Sequence, residues 1–277
     1  MNLKTARIVN NVLKYSILIM GGILMAIPFY WMLVTSLKSP GEVAQIPPTW
    51  LPKSWLFSNY QKALKTAPFA RYFLNSLIVT FVTTLGELFT SILAAFAFAK
   101  IKFWGKDVLF ILLLGTMMVP GELMTIPNFV TLSKMNLINT YGALIIPWLA
   151  SVFSVFTLKQ SFESIPNALY YAAKVDGASD WRFLWEIMVP LSKSSIMAVM
   201  ILKVIGSWNS FMWPLIVTND KTLRTLPVGL QAFTTEAGTN FELLMAASTL
   251  VIVPMVVIYL LLQKYIVQGI SRAGIKG

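Results

Sequence analysis

Six apolar runs, each close to 20 residues or longer, constrain this chain more than any other feature: roughly 15–37, 73–99, 108–126, 141–158, 194–217 and 243–266. About 20 apolar residues in an α-helix cross the ~30 Å hydrocarbon layer of a bilayer, with every backbone polar group satisfied inside the helix. The expected fold is therefore an all-α membrane protein with six transmembrane helices. Composition agrees: 12% of residues are charged, about half of the ~25% usual in soluble domains. Such a chain cannot clothe a water-facing surface. No internal repeat, low-complexity segment or soluble domain stands apart, so residues 1–277 read as one transmembrane domain.

The first run follows a short basic head (Lys4, Arg7, Lys14) and lacks the small residues of a cleavage site, so it reads as a retained span. Six spans place both termini on the cytoplasmic side of the cell membrane. Basic residues in the short 100–107 loop and in the tail after Lys264 agree with that orientation. The 38–72 segment, with Lys38, Lys53, Lys62, Lys65 and Arg71, falls outside and runs against the rule, which long loops obey less strictly. The net charge of +11 is spread through these loops, so topology explains it better than a nucleic-acid partner does.

Several functions are excluded. There is no cysteine and no histidine, which removes thiolate nucleophiles, imidazole ligands and any Ser-His-Asp triad. No segment matches the G-x-x-x-x-G-K-[ST] phosphate loop, and the acids form no catalytic pair. The expectation is a chain that is not an enzyme and holds no metal or cofactor of its own.

Three ionisable residues fall inside or at the edge of spans: Glu87, Glu122 and Lys203. A charge at bilayer depth must face protein or a water-filled cavity. One reading puts them on a translocation path or proton relay. The other makes them a structural pair or interfacial residues, and Lys203 lies near enough to the cytoplasmic end to snorkel. Ser207, Trp208 and Asn209 suit a sugar, through aromatic stacking and hydrogen bonds to hydroxyls. Equally, Gly206 and Ser207 suit close helix packing, and Trp213 the membrane interface. Outside, Pro40, Pro47, Pro48 and Pro52 with Trp50, Trp55, Phe57 and Tyr60 read as a stiff, interface-anchored segment, and 218–240 ends in a small polar tip.

The most helix-punctuated stretch lies between the fourth and fifth runs, at 159–193. Pro166 suits a first helical turn, and Ala168, Tyr171, Ala172 and Val175 recur on one apolar face. Gly177 can end that helix in the left-handed conformation, and Ser179 can cap the next with Asp180 in its first turn. A short amphipathic helix, a sharp turn and a second helix follow.

Ala172-Ala173, then Gly177, Ile187 and Pro190, resemble the EAA motif of ABC importer permeases; the glutamate that names the motif is Tyr171 here, and Val189 replaces the leucine before the proline. Asp176-Gly177-Ala178, Ser207-Trp208-Asn209 and the C-terminal Ala273-Gly274-Ile275-Lys276-Gly277 resemble the carbohydrate-uptake branch, in the manner of the second maltose-type permease. The resemblance implies a MetI-like, type I importer fold with a cytoplasmic coupling helix. It also implies ATP-driven import of a sugar or oligosaccharide delivered by an extracytoplasmic solute-binding protein, in the cytoplasmic membrane of a prokaryote. The implied partners are a second permease and two ATPases that carry the ATP and Mg. Tyr170, Tyr171, Ala172, Ala173, Asp176 and Gly177 would engage an ATPase. Thr235, Glu236, Gly238 and Asn240 would meet the binding protein, with Glu87, Glu122, Ser207, Trp208 and Asn209 along the path. The alternative is an ion- or proton-coupled carrier that works without ATPases through Glu87, Glu122 and Lys203.

Overall fold

The computed structural model describes residues 3–235 and 238–274, and nearly all regular structure in it is helical. The chain divides into two compact units, residues 1–68 with 230–253 and residues 69–229 with 254–277.

In the first unit the Leu3–Ser36 helix leaves its large apolar side chains from Val12 to Leu33 mostly uncovered. A helix apolar on all sides needs lipid or protein around it. The segment after it is built rather than loose. Asn59 Nδ2 donates to the carbonyl oxygens of Ser36 and Lys38 at 3.0 and 2.8 Å, and the buried Lys38 Nζ donates to Thr49 O. Glu42 accepts from Thr49 Oγ1 and from the Lys53 amide. Short helices Pro40–Val43 and Ser58–Thr66 sit within this frame. Strands Thr234–Thr235 and Gly238–Thr239 pair antiparallel, Thr234 opposite Thr239, ahead of the long Phe241–Gly274 helix.

The second unit is arranged around the Phe69–Lys100 helix, whose polarity is inside out. Asn75, Ser76, Thr80, Thr83, Thr84, Glu87 and Ser91 are buried, while Leu74, Phe81, Leu85 and Phe89 point outward and are exposed. That is the pattern expected where the surroundings are hydrocarbon and polar groups must be satisfied against protein. Its C-terminal half (Leu88, Ile92, Ala95, Phe96) packs with Leu158 and Phe162 of the Val152–Glu163 helix, and with Phe183, Leu184, Met188 and Val199.

Among the described residues, three helices are individually long and apolar enough to cross a membrane: Asn10–Ser36, Phe69–Lys100 and Phe241–Leu261. Three bent pairs bring the number to six if each is one span: 92° between Lys106–Thr116 and Gly121–Lys134, 41° between Tyr141–Trp148 and Val152–Glu163, and 80° between Asp180–Leu191 and Lys193–Trp208. The architecture is that of an all-α membrane protein; the run at 108–126 breaks at Pro120-Gly121, as those residues imply, whereas the runs at 141–158 and 194–217 are not straight helices as their hydropathy implied. Prolines explain this, since each removes a backbone donor and crowds the carbonyl four residues back. Pro120 sits at the first break and Pro147 in the turn before the second. The third bend falls just ahead of the fifth run, after Leu191, which follows a π-turn over Leu184–Met188 and Pro190; the run itself breaks at Asn209–Phe211, ahead of the Met212–Val217 helix that carries Pro214.

Candidate functional site

The loop helix runs over Asn167–Val175, with Pro166 at its N-cap. Gly177 has φ +79°, and the Ala178 N–H reaches back to Ala173 O at 2.8 Å, the closing bond of a glycine-terminated helix. Ser179 then caps the Asp180–Phe183 helix, its side chain accepting from the Arg182 N–H at 3.2 Å. Turn and cap therefore form where Gly177 and Ser179 placed them.

Two devices hold this turn against the second unit. Lys100, the buried last residue of the central helix, donates to Ile165 O at 2.7 Å and to Asn167 Oδ1 at 2.8 Å, so the start of the loop helix is tied to the end of a spanning helix. Tyr170 packs edge-on against the buried Phe183 and donates its hydroxyl to Asp180 Oδ1 at 2.7 Å; Lys174 meets the same oxygen at 2.8 Å. Burial, then the bond to Asp180, pushes the Tyr170 phenol up to about 12. The bonds from Lys174 and Tyr170 hold the Asp180 carboxyl below its usual range. A partly exposed pair such as Lys174–Asp180 contributes little by itself, so its role is to fix geometry across the turn.

The opposite face of the loop helix has no cover among the described residues. Ala168, Leu169 and Ala172 are exposed, as are Tyr171 at 54% and Val175 at 87%. This is the face that Ala168, Tyr171, Ala172 and Val175 marked by their spacing. Two expected contacts lie elsewhere: Tyr170 and the buried Ala173 turn inward onto Phe183, Ile165 and their neighbours, so they brace the turn rather than face outward. The i and i+3 positions that suit one side of the helix cannot also serve the other. Asp176 is exposed and follows the last helical residue, its N–H bonded to Ala172 O.

In the spans, Glu87 and Lys203 find each other. Lys203 Nζ lies 2.5 Å from Glu87 Oε2 and 3.1 Å from Trp148 O, and Ser154 Oγ donates to Glu87 Oε1 at 2.6 Å. The structural-pair reading of Glu87 holds, and snorkelling of Lys203 does not, because its ammonium goes to a buried carboxylate instead of the interface. Glu122 stands apart, exposed in the Gly121–Met124 turn. Ser207 shares a hydrogen bond with Thr83 at 3.1 Å, Trp208 is buried and edge-on to Phe73, and Asn209 is exposed at the helix end. Trp213 is buried, with its indole N–H on Ala143 O, so it packs rather than marking an interface. Beside them lies a cavity of about 290 Å3, lined in part by Trp148, Lys203, Ser207, Ser210 and Thr225. Thr235 pairs with Gly238 in the two-stranded ribbon, and Asn240 N–H donates to Phe233 O; Glu236 lies outside the described residues.

Lys100 and Ser154 were not singled out from sequence, and Asp180 was read only as a first-turn residue of the second helix, not as the partner of Tyr170 and Lys174. For Lys100 the signal was available, as a cation on the last turn of a span that must find an acceptor. The partners of Glu87 lie 67 and 116 residues away, and spacing along the chain carries no trace of them.

Residues 87–272 match the family model described as the binding-protein-dependent transport system inner membrane component. The chain is 34% identical over 253 residues to the arabinooligosaccharides transport system permease protein AraQ of Bacillus subtilis (strain 168), covering 90% of each chain. It is 31% identical over 268 residues to the sn-glycerol-3-phosphate transport system permease protein UgpE of Yersinia pestis, covering 94% of this chain and 95% of the relative. A chain from the crystal structure of a bacterial ABC transporter that imports the acidic polysaccharide alginate superposes with a TM-score of 0.84 at 22% identity, covering 96% of this chain and 99% of that one. Another, from the alginate transporter in complex with a pentasaccharide-bound periplasmic protein, gives 0.60 at 17% identity, with 93% and 94% covered.

Proposed function

The chain belongs to the binding-protein-dependent transport system inner membrane component family, and we propose that it is the permease subunit of an ATP-driven importer for a sugar or oligosaccharide. It works beside a second permease, two cytoplasmic ATP-binding subunits and an extracytoplasmic solute-binding protein. ATP and its Mg belong to those ATP-binding subunits; this chain catalyses no covalent step. Residues 1–277 form one transmembrane domain, with both termini and the 159–193 loop on the cytoplasmic side of a prokaryotic membrane. The arabinooligosaccharide and glycerol-phosphate permeases among its relatives support a carbohydrate or related polyol solute.

The observation that carries this reading is the uncovered apolar face of the Asn167–Val175 helix, braced from behind by Lys100, Tyr170 and the Gly177 turn. An exposed Tyr171, Ala172 and Val175 surface on a rigid support is suited to a groove on a partner. When the ATP-binding subunits close, displacement of this helix passes through Lys100 into the central helix and alters access to the path. Neither the relatives nor the mutually neutralised Glu87 and Lys203 favour a gradient-coupled carrier. In mild detergent the chain should co-purify with a second permease and an ATPase, and proteoliposomes of the assembly should take up solute only with ATP and binding protein. Uptake by this chain alone along an ion gradient would overturn the proposal.

A further inference from the structure

The cavity beside the broken fifth span has features that helix packing does not require. Its volume of about 290 Å3 sits at the lower edge of the ~300–1,000 Å3 range of small-molecule pockets, the scale of one sugar ring rather than of an extended chain. Thr225 Oγ1 lines it, is buried, and has no hydrogen-bond partner among the described residues. A buried hydroxyl without a partner costs free energy, and a ligand or water that reaches it recovers that cost. Ser76 Oγ accepts from the Leu226 N–H at 2.8 Å, which leaves its own proton to donate. Thr83 gives its proton to Val79 O at 2.6 Å, so Ser207 is the donor in their shared bond and its lone pairs remain available. Trp148, half exposed and edge-on to Trp213, adds an aromatic wall.

The charge balance narrows the ligand. Lys203 is the one ionisable residue among those that line the cavity, and its ammonium is already matched by Glu87 Oε2 at 2.5 Å and by Trp148 O. A phosphate or uronate entering here would have to compete with a buried carboxylate that cannot easily be left unpaired. Hydroxyls and an indole with no net charge suit a neutral polyhydroxy ring.

We infer that this cavity is a subsite for one uncharged glycosyl unit, and that Glu87 excludes anionic sugars from it by cancelling Lys203. The inference rests on the importer reading and narrows its solute class.

The chain has no cysteine, so Ser210→Cys gives it a single thiol at the cavity wall. In proteoliposomes of the assembled importer, its modification by neutral, cationic and anionic methanethiosulfonates is followed by the mass of this chain. Cationic and anionic rates, each relative to a free thiol, should be similar in Ser210→Cys alone. Adding Glu87→Gln should raise the anionic rate on the order of tenfold, and Glu87→Gln with Lys203→Met should return it to the starting value. That double variant also guards against misfolding of the single one. An anionic preference already present with Glu87 intact, or unchanged by Glu87→Gln, overturns the charge argument. Neutral arabinose, glucose and galactose disaccharides, a hexuronate dimer and glycerol 3-phosphate are then tested for slowing the neutral reagent. Slowing by a neutral sugar is expected; slowing only by an anion, or by none, overturns the subsite. Uptake measured alongside separates the two levels: ATP-driven uptake without protection rejects the subsite alone, whereas uptake independent of ATP rejects the importer reading.

Discussion

Replacing Gly177 by valine is expected to uncouple ATP hydrolysis from uptake while leaving insertion into the membrane normal. Gly177 has φ +79°, and no neighbouring atom lies within 4 Å of where a Cβ would stand, so crowding adds nothing to the cost. What remains is backbone strain: the left-handed conformation costs a non-glycine residue about 1–2 kcal/mol, and a β-branched one up to about 3 kcal/mol. At about 2 kcal/mol the population of the intact turn falls relative to its alternatives by roughly thirtyfold. The bond from Ala178 N–H to Ala173 O then opens, and the Asn167–Val175 helix loses its fixed angle to the Asp180–Phe183 helix. Backbone strain also fixes the order of a series. Asparagine enters this conformation readily, alanine less so and valine least, so uptake per ATP should fall in the order Gly, Asn, Ala, Val. The assay is uptake and ATP hydrolysis in proteoliposomes with the partner subunits, against the amount of chain inserted. Undiminished uptake in the valine variant refutes the reasoning, and so does an equal loss in all three variants.

The other expectations concern the same supports. Lys100→Met removes two hydrogen bonds from a charged donor and leaves Ile165 O without one; loss of each such bond costs about 1.5–3 kcal/mol. Uptake per ATP should drop more than thermal stability does, with partial rescue by Lys100→Arg. Tyr170 has its pKa raised to about 12, so its contribution is full below the ordinary value near 10 and is lost as pH climbs from about 10 towards 12. A tyrosinate absorbance titration should lose a late-titrating group near pH 12 in Tyr170→Phe. Asp180 has its pKa lowered, so its contribution is present above the ordinary carboxylate value and is lost only as pH falls through the depressed one; Lys174→Met should move that loss to higher pH. Gly229→Ala would put a Cβ into the Tyr72 ring and should cost about 1–3 kcal/mol of overpacking, read as a lower Tm.

Local chemistry was legible in the sequence, and long-range pairing was not. Gly177, Ser179 and Pro166 act through their own backbone and their immediate neighbours, so their conformations follow from residue type. The spans were legible as apolar runs because lipid demands length and little else. Their bends were harder to read: hydropathy is blind to a missing N–H, so Pro147 and Pro214 did not register as breaks inside greasy stretches. Tyr170 misled for another reason. On a helix of nine residues the covered and open sides are only one position apart, and the partner that decides between them, Phe183, lies beyond the turn.

The same physics accounts for where this chain keeps its polar groups. A helix in hydrocarbon gains nothing by hiding Leu or Phe from lipid, so the interior of the second unit is chosen by what lipid will not take. Ser76, Thr83 and Glu87 therefore sit on the buried side of the central helix, and Ser154, Lys203 and Ser207 come to meet them. Outside the spans the logic reverses: Tyr171 and Val175 lie on a helix that water should penalise, and nothing among the described residues covers them. Lys100 joins the two regimes, closing the buried helix at one end and holding the exposed one at the other. A buried cation that positions a bare apolar helix is what the proposed docking of that helix on an ATP-binding subunit requires.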